Sequence, residues 1–320
     1  MLQLDQATTR AMLEWRPLIE ALRAMFDDGC EMPVRHHHDV AVPGEADATL
    51  LLMPAWVPGR YIGVKLATVV PGNGARGLPA VMATYCLSSG RTGEMLALID
   101  GGELTARRTA AASALAADYL ARKDASDLLL IGTGRVVENL IGAHCAVRPI
   151  RKVSVWGRDM AKAEALAEAA AREHGVEAEA AGDLGKALET ADIVSAATLS
   201  EIPLIEGVRL SPGCHVDLVG AFKPSMRESD DEAIRRASVF VDTLAGATRE
   251  GGDIVQPLQS GVLKMEDIRG DLFSLATGTV PGRVSEDEIT LFKSVGAALE
   301  DLAGAILAYE TAMARPQGAG

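Results

Sequence analysis

The chain has 320 residues, 48% of them hydrophobic and 23% charged, with a formal net charge of −13 at pH 7. That length allows two domains that each bury a core. The acidic balance leaves no extended basic face for a polyanion, so small-molecule chemistry is expected and nucleic-acid binding is not.

Cys30, Cys86, Cys145 and Cys214 are widely scattered, with neither a Cys-x-x-Cys pair nor the density of a disulfide scaffold. They read as free thiols in a reducing cytoplasm. The opening stretch "MLQLDQATTRAMLEW" carries an early acid and no basic region followed by an apolar core. No run reaches the roughly 18 apolar residues of a membrane span. A cytoplasmic protein without membrane partners is expected.

In chain order, the first 115 residues read as one domain. "TLLLMPAW", "RYIGVKLATVV", "AVMATYCLSS" and "GEMLALIDG" are strands separated by Gly, Pro and Asn turns with no long helix between them, which points to antiparallel pairing. His36-His37-His38 precedes them. Adjacent side chains of an extended chain point to opposite faces, so a three-histidine metal site is not expected, and no metal is assigned. Arg35 follows "EMPV", Lys65 interrupts an apolar strand, and Arg107-Arg108 open a small-residue helix in "LTARRTAAASALAADYLA". A lysine within an apolar strand either points to solvent on a wet face or meets an anion in a cleft.

Residues 116–285 alternate strand and helix signals. "DLLLIG" is a buried-strand run, followed by a glycine turn, a helix from about Arg135 to Ala146, the strand "KVSVW", and helical "MAKAEALAEAAAREHG". "VEAEAA", helical "LGKALETA", "DIVSAA", "HVDLVG" and "SVFVDT" continue the pattern. Such alternation predicts parallel strands joined by crossover helices. "SPGCH" and "TGTVPGR" read as turns and "REGGDIVQP" as a loop. From Glu286 onward, Ile289, Phe292, Val295, Leu299, Leu302 and Ile306 form a stripe of threes and fours. It predicts a C-terminal helix over 286–320 that packs back on the N-terminal domain.

"LLLIGTGRVV" supplies Gly132-x-Gly134-x-x-Val137 between a strand and a helix. The first glycine permits the tight turn, the second lets backbone N–H groups reach a pyrophosphate, and the helix N-terminus favours negative charge. Val137 stands where Gly or Ala is usual. Thr133, Arg135 and Val136 share this turn. Ala197 and Thr198 after "DIVSAA", Val219 in "HVDLVG" and Ser294 in "TLFKSVG" complete the expected cofactor contacts. The ribose-reading position falls on Gly157-Arg158-Asp159. A carboxylate there would repel a 2′-phosphate; a glycine makes room and a guanidinium pairs with the phosphate, so NADPH is expected, with NADH as the lesser cofactor. Arg158 as a solvated helix-start residue and Asp159 as an N-cap are the alternative readings.

The blocks "IGVKLATVVPGN", "GLPAVMATYCLSSGRTGEMLALIDGGELTARRTAAASALAADYLAR", "GTGRVVENLIGAHCAVRPIRKVSVWGRD" and "LFKSVGAALEDLA" resemble the ornithine cyclodeaminase/mu-crystallin family, in order over nearly the whole chain. The resemblance implies an α/β protein: an α+β N-terminal substrate and dimerisation domain with an antiparallel sheet, completed by the C-terminal helix, and a Rossmann domain. It also implies an active site in the cleft between them, and a homodimer. By resemblance Arg35, Lys65 and Arg108 hold a substrate carboxylate, with Lys65 as the catalytic residue. The cyclodeaminases carry an acid before the Met-Pro pair and an aspartate that reads the distal amine of ornithine. Here Leu51 and Leu52 precede Met53-Pro54, and Phe222 stands at about the aspartate's place. A hydrophobic Phe222 suits a cyclic imino acid. The "VGAFKPSMRE" block is similar to ketimine and Δ1-pyrroline-2-carboxylate reductases, which implies NAD(P)H-dependent reduction of Δ1-pyrroline-2-carboxylate or its six-membered homologue to L-proline or L-pipecolate. Ornithine cyclodeaminase activity, alanine-dehydrogenase-like activity and a non-catalytic NADP-dependent ligand carrier of mu-crystallin type are the alternatives.

Overall fold

The computed structural model describes residues 1–315; the end of the expected C-terminal segment, 316–320, lies outside the described residues. In chain order the elements are β1 (Leu2–Leu4), α1 (Gln6–Met12), α2 (Trp15–Asp28), β2 (His36–Val40), β3 (Ala48–Val57), β4 (Tyr61–Val69), β5 (Val81–Ser89), β6 (Met95–Asp100) and α3 (Gly101–Leu120). There follow β7 (Asp127–Ile131), α4 (Arg135–Val147), β8 (Lys152–Trp156), α5 (Met160–His174), β9 (Glu177–Ala180), α6 (Leu184–Thr190), β10 (Ile193–Ala196), β11 (His215–Leu218), α7 (Asp231–Arg236) and β12 (Ala237–Val241). The chain continues through α8 (Leu244–Glu250), α9 (Gly252–Ser260), β13 (Ile268–Asp271), α10 (Leu272–Ala276), β14 (Ile289–Lys293) and α11 (Ala298–Ala314).

Two compact units result. The first comprises Met1–Arg108 with the segment from Ala298 onward, and the second Thr109–Ala297. The division falls inside α3 rather than at the expected 115/116 boundary.

In the first unit a six-stranded sheet runs in the order β1-β6-β5-β4-β3-β2. All neighbours are antiparallel except β1, which pairs parallel with β6. β1, α1 and α2 carry no part in the strand signals of the sequence. α2 forms because Leu18, Ile19, Leu22 and Phe26 make a buried stripe. α11 packs on α2 and on β3 and β4, covering the sheet face that carries Met53, Ala55, Lys65, Ala67 and Tyr85. Ile62 and Leu66 on the other face are 40% and 44% exposed.

In the second unit eight strands lie in the order β13-β12-β14-β11-β10-β7-β8-β9, every pair parallel. Its core, with Leu129, Ile131, Val194, Val216, Leu218, Val241 and Leu291 among its members, is the continuous apolar content expected of strands covered on both faces.

Two expectations are corrected here. Residues 289–293 are not the first turns of a helix: β14 is an interior strand between β11 and β12, with all five residues buried. The apolar stripe from Ile289 to Val295 satisfied a helical period by coincidence, and only 298–314 is helical. "REGGDIVQP" is not a loop but the end of α8 and most of α9. Its glycines imitate a linker, yet Gly252 is there because a Cβ would meet the Met226 carbonyl oxygen at 1.8 Å.

The strand assignment is testable at Phe292, which is fully buried. Phe292→Ala is expected to lower stability by about 3–5 kcal/mol in chemical denaturation, the cost of truncating a core aromatic. A loss below about 1 kcal/mol would mark it as the surface helix residue that the stripe alone implies.

Candidate active site

The first unit gathers charge under α11. Lys65 points to the helix-covered face of β4 and is only 4% exposed, and Arg108, in the second turn of α3, is 5% exposed. Isolated, neither charge would be tolerated there. Two acids at the start of α11 compensate them. Asp301 lies 2.7 Å from Lys65 Nζ through Oδ2, and accepts from Arg108 Nε at 2.8 Å through Oδ1. Glu300 accepts from Arg108 Nη1 at 2.7 Å. Both acids are fully buried. The solvent alternative for Lys65 is therefore excluded.

The electrostatics follow from this geometry. Burial is the chief influence on Lys65 and brings its pKa down to about 8; Asp301 opposes it, while the charges of Arg108 and Arg35 push the same way as burial. Burial also works against Asp301, but Arg108 and Lys65 override it and hold the carboxyl below its usual range. Arg108 is likewise penalised by burial, yet its two carboxylates hold its pKa above the ordinary value. The positive field of Arg35, as well as that of Arg108, reaches Lys65. Hydrogen-bonding capacity remains: of five guanidinium N–H donors Arg108 spends two on these acids. Tyr85, opposite Lys65 in the β4–β5 register, is fully buried, and its hydroxyl has no hydrogen-bond partner among the described residues.

Arg107 is different. Its guanidinium donates to the Leu13 carbonyl and stacks on Trp15 at 3.8 Å, so it fastens the N-terminal helices. Arg35 lies half-buried just before the edge strand β2, where His36 to His38 are exposed.

The second unit brings a different set together at the C-terminal ends of its adjacent parallel strands, where open α/β sheets bind ligands. Gly132 and Gly134 follow β7, Gly157 and Arg158 follow β8, Ala197 and Thr198 follow β10, Val219 follows β11 and Ser294 follows β14. Gly132 has φ +118°, a conformation that excludes a side chain, and Val137 Cγ2 fills the space beside it at 3.1 Å from where a Cβ would stand. Val137 is fully buried, so its branched side chain is accommodated by packing on the glycine turn. Gly134 is the N-cap of α4 and provides no side-chain cap, and a Cβ on it would touch nothing within 4 Å. The first N–H groups of α4 thus have open approach, which fits a pyrophosphate.

At the ribose end, Asp159 is the N-cap of α5, accepting from the Lys162 N–H at 3.3 Å. Arg158 is exposed and has no hydrogen bond or ion pair among the described residues. A Cβ on Gly157 would stand 2.6 Å from Thr133 Cγ2, so the methyl group of the glycine turn occupies the place of an acid. Ser294 is 1% exposed and its hydroxyl donates to Asp242 at 3.2 Å. That acid also accepts the Val295 and Gly296 N–H groups, both at 2.7 Å, fixing the exit of β14. Phe222 is 41% exposed in the segment after β11.

Sequence reasoning missed Glu300 and Asp301. The signal was available, since "AALEDLAGAILA" has no polar face to carry two acids, and two cations elsewhere lacked partners.

A family model described as ornithine cyclodeaminase/mu-crystallin family matches residues 4–315. The Δ1-pyrroline-2-carboxylate reductase of Paracoccus denitrificans is 41% identical over 293 residues, covering 91% of this chain and 90% of that protein. Among solved structures, the Thermococcus litoralis Δ1-pyrroline-2-carboxylate reductase in complex with NADH and L-proline superposes with a TM-score of 0.92 at 33% identity, covering 98% of both chains. An archaeal alanine dehydrogenase dimer with bound NAD gives 0.89 at 30% identity, covering 98% of this chain and 96% of that one.

Asp301→Asn leaves Lys65 and Arg108 short of a counter-charge in a buried site. It is expected to cost about 3–5 kcal/mol of stability, measured by urea denaturation, against no more than about 1 kcal/mol for the same change at exposed Asp159.

Proposed function

The chain belongs to the ornithine cyclodeaminase/mu-crystallin family, and we propose that within it the protein reduces a cyclic imino acid, Δ1-pyrroline-2-carboxylate or its six-membered homologue, to the L-amino acid. The observation that carries this reading is the buried cluster of Lys65, Arg108, Glu300 and Asp301, in which Arg108 keeps guanidinium N–H donors beyond the two spent on these acids and so can receive a substrate carboxylate. An acid for a distal amine is missing where Phe222 stands, which supports a ring of carbon atoms over ornithine. The likeness to two nicotinamide-dependent enzymes that make L-amino acids agrees with it.

The carboxylate accepts from the remaining N–H groups of Arg108 and Lys65 and from Arg35. In a 2-imino acid the nitrogen and one carboxylate oxygen lie on the same side of the C1–C2 bond, so a single ammonium reaches both. Gly132 to Val137, Ala197, Thr198 and Val219 would hold the dinucleotide, whose nicotinamide would supply a hydride for C2. Lys65 supplies the proton to nitrogen: its N–H bond breaks, the N–H bond of the product amine forms, and the lone pair left on Nζ takes a proton from solvent. A lysine with a pKa of about 8 gives up that proton more readily than an exposed one. Asp301 keeps Nζ charged and in position between turnovers. Phe222 lies against the ring carbons.

NADPH is the preferred cofactor, because no acid stands at Gly157 to repel a 2′-phosphate and the guanidinium of Arg158 is available to it. The outward apolar face of the first unit's sheet, with Ile62, Leu66 and Met82 each at least 40% exposed, supports a homodimer.

The direct test is oxidation of NADPH with each cyclic imine, beside pyruvate plus ammonia and beside ammonia release from ornithine. Turnover is expected with an imine; ammonia release from ornithine without imine turnover would overturn the reading, and a preference for pyruvate plus ammonia would make the protein an alanine dehydrogenase. The charged form of Lys65 is the active one, so kcat/KM is expected to be flat below about pH 8 and to fall roughly tenfold per pH unit above it. In Lys65→Arg, which stays charged, that alkaline limb should vanish while kcat drops about 10²-fold or more. Arg158→Ala is expected to weaken NADPH by about 1.5–3 kcal/mol and leave NADH nearly unchanged; equal losses for both would make Arg158 a helix-start residue only.

A further inference from the structure

One fully buried acid of the second unit has no part in the chemistry above. Glu228 sits in "MRESDDE", among residues that read as a solvated acidic run, yet it is 0% exposed. Its Oε1 accepts from the Thr198 backbone N–H at 2.7 Å and from the Thr198 hydroxyl at 2.9 Å. Its Oε2 accepts from the N–H groups of Gly220 at 2.7 Å and Ala221 at 3.3 Å. Thr198 follows β10 and Gly220 follows β11, neighbouring parallel strands in which Ala196 pairs with Leu218. A single carboxylate therefore takes up the backbone donors that two strands release as they leave the sheet. The two exits touch: a Cβ on Gly220 would meet the Thr198 carbonyl oxygen at 1.9 Å.

The acid is itself held rigidly. Its N–H donates to Asp253 Oδ1 at 2.9 Å, and its carbonyl accepts from Leu204 and Ile205, both at 2.9 Å. Lys293, at the end of β14 and fully buried, lies 3.3 Å from Asp253 Oδ2 and 4.0 Å from Glu228 Oε2. That ammonium offsets part of the cost of burying two acids.

We propose that Glu228 is a positioning residue, which fixes the exits of β10 and β11 against each other and so sets Thr198 for the nicotinamide half of the cofactor and Phe222 for the substrate ring. This rests on the reductase reading above. The donor set explains why an acid is needed. Four donors converge on two oxygens, and only a carboxylate offers acceptors on both sides. Glutamine turns its NH2 group toward either Thr198 or the Gly220–Ala221 pair and sets donor against donor.

The pyrophosphate and ribose groups lie at the exits of β7 and β8, and the carboxylate cations lie in the other unit. Neither depends on Glu228. The experiment compares wild type, Glu228→Gln and Glu228→Asp as full-length protein. Kd is measured by intrinsic fluorescence for NADP+ and for 2′-phospho-ADP-ribose, which lacks the nicotinamide, and kcat and KM are measured with the cyclic imine. Glu228→Gln is expected to weaken NADP+ about tenfold and the fragment less than twofold, and to lower kcat about 10²-fold with KM for the imine changed less than threefold. Glu228→Asp keeps the charge on a shorter arm and should recover part of kcat. Equal weakening of NADP+ and the fragment, or unchanged kcat and NADP+ affinity in a folded Glu228→Gln, overturns the proposal. Should Glu228→Gln fail to fold, Thr198→Val deletes one of the four donors, and NADP+ binding unchanged relative to the fragment overturns it there. If the wild type turns over no imine, the reductase reading falls while the NADP+-against-fragment split still decides Glu228.

Discussion

The sharing of the Asp301 carboxylate between Lys65 and Arg108 is the constraint on which the first unit depends. Each cation is nearly inaccessible to water, and each would be expelled from that position or neutralised without the acid. Because Asp301 contacts them through different oxygens, it fixes the separation of a strand residue and a helix residue that are far apart in sequence. α11 must then dock on β4 and α3 in one register, since sliding by a turn would leave charges buried and unpaired. The apolar contacts of α11 with α2 and the sheet supply the adhesion. The ion cluster supplies the address.

The second unit meets the same problem with the opposite sign. There the groups to be satisfied are backbone N–H donors at strand exits, and the solution is a buried carboxylate at each place where chain geometry matters. Asp242 holds the turn after β14, and Glu228 joins the exits of β10 and β11. The start of α4 is treated differently: Gly134 stands in place of a capping side chain, an arrangement that fits an anion. The contrast is physical. Donors meant for the protein are closed with acids, and donors meant for an anion are left open.

Much of this was legible in the sequence. Parallel strands with apolar runs, the glycine turn and the antiparallel N-terminal strands depend on local chemistry, and β3 to β12 lie where their patterns fall. What failed was long-range. β14 is five residues long, and a short apolar run does not reveal its own period once a helix follows it closely. β1 and β2 are short edge strands whose pairing is decided by partners distant in sequence. Lys65 stood out because a lysine in an apolar strand violates a local rule, which left solvent and cleft both open, and Arg35 and Arg108 joined it only through the family resemblance. Their acids were missed because Glu and Asp are ordinary at the start of a helix, which masked the signal that the apolar segment around them has no polar face. Glu228 gave no signal, since the partners that hold it, Thr198 and Asp253, are distant in sequence.

The two frameworks also separate what is fixed from what is free to change. The cluster of four buried charges, Lys65, Arg108, Glu300 and Asp301, cannot lose one member without stranding another. The exits of β10 and β11 are pinned by four hydrogen bonds to one acid and tolerate little displacement. Phe222 belongs to neither set. It is partly exposed, its backbone N–H bonds only to Gly220 two residues earlier, and it leaves the scaffold's charges undisturbed when replaced. An aspartate there would add a counter-charge for an amine, and a phenylalanine adds apolar surface for a ring. A change at this position therefore costs little elsewhere in stability, because Phe222 is not one of the buried side chains that hold the fold.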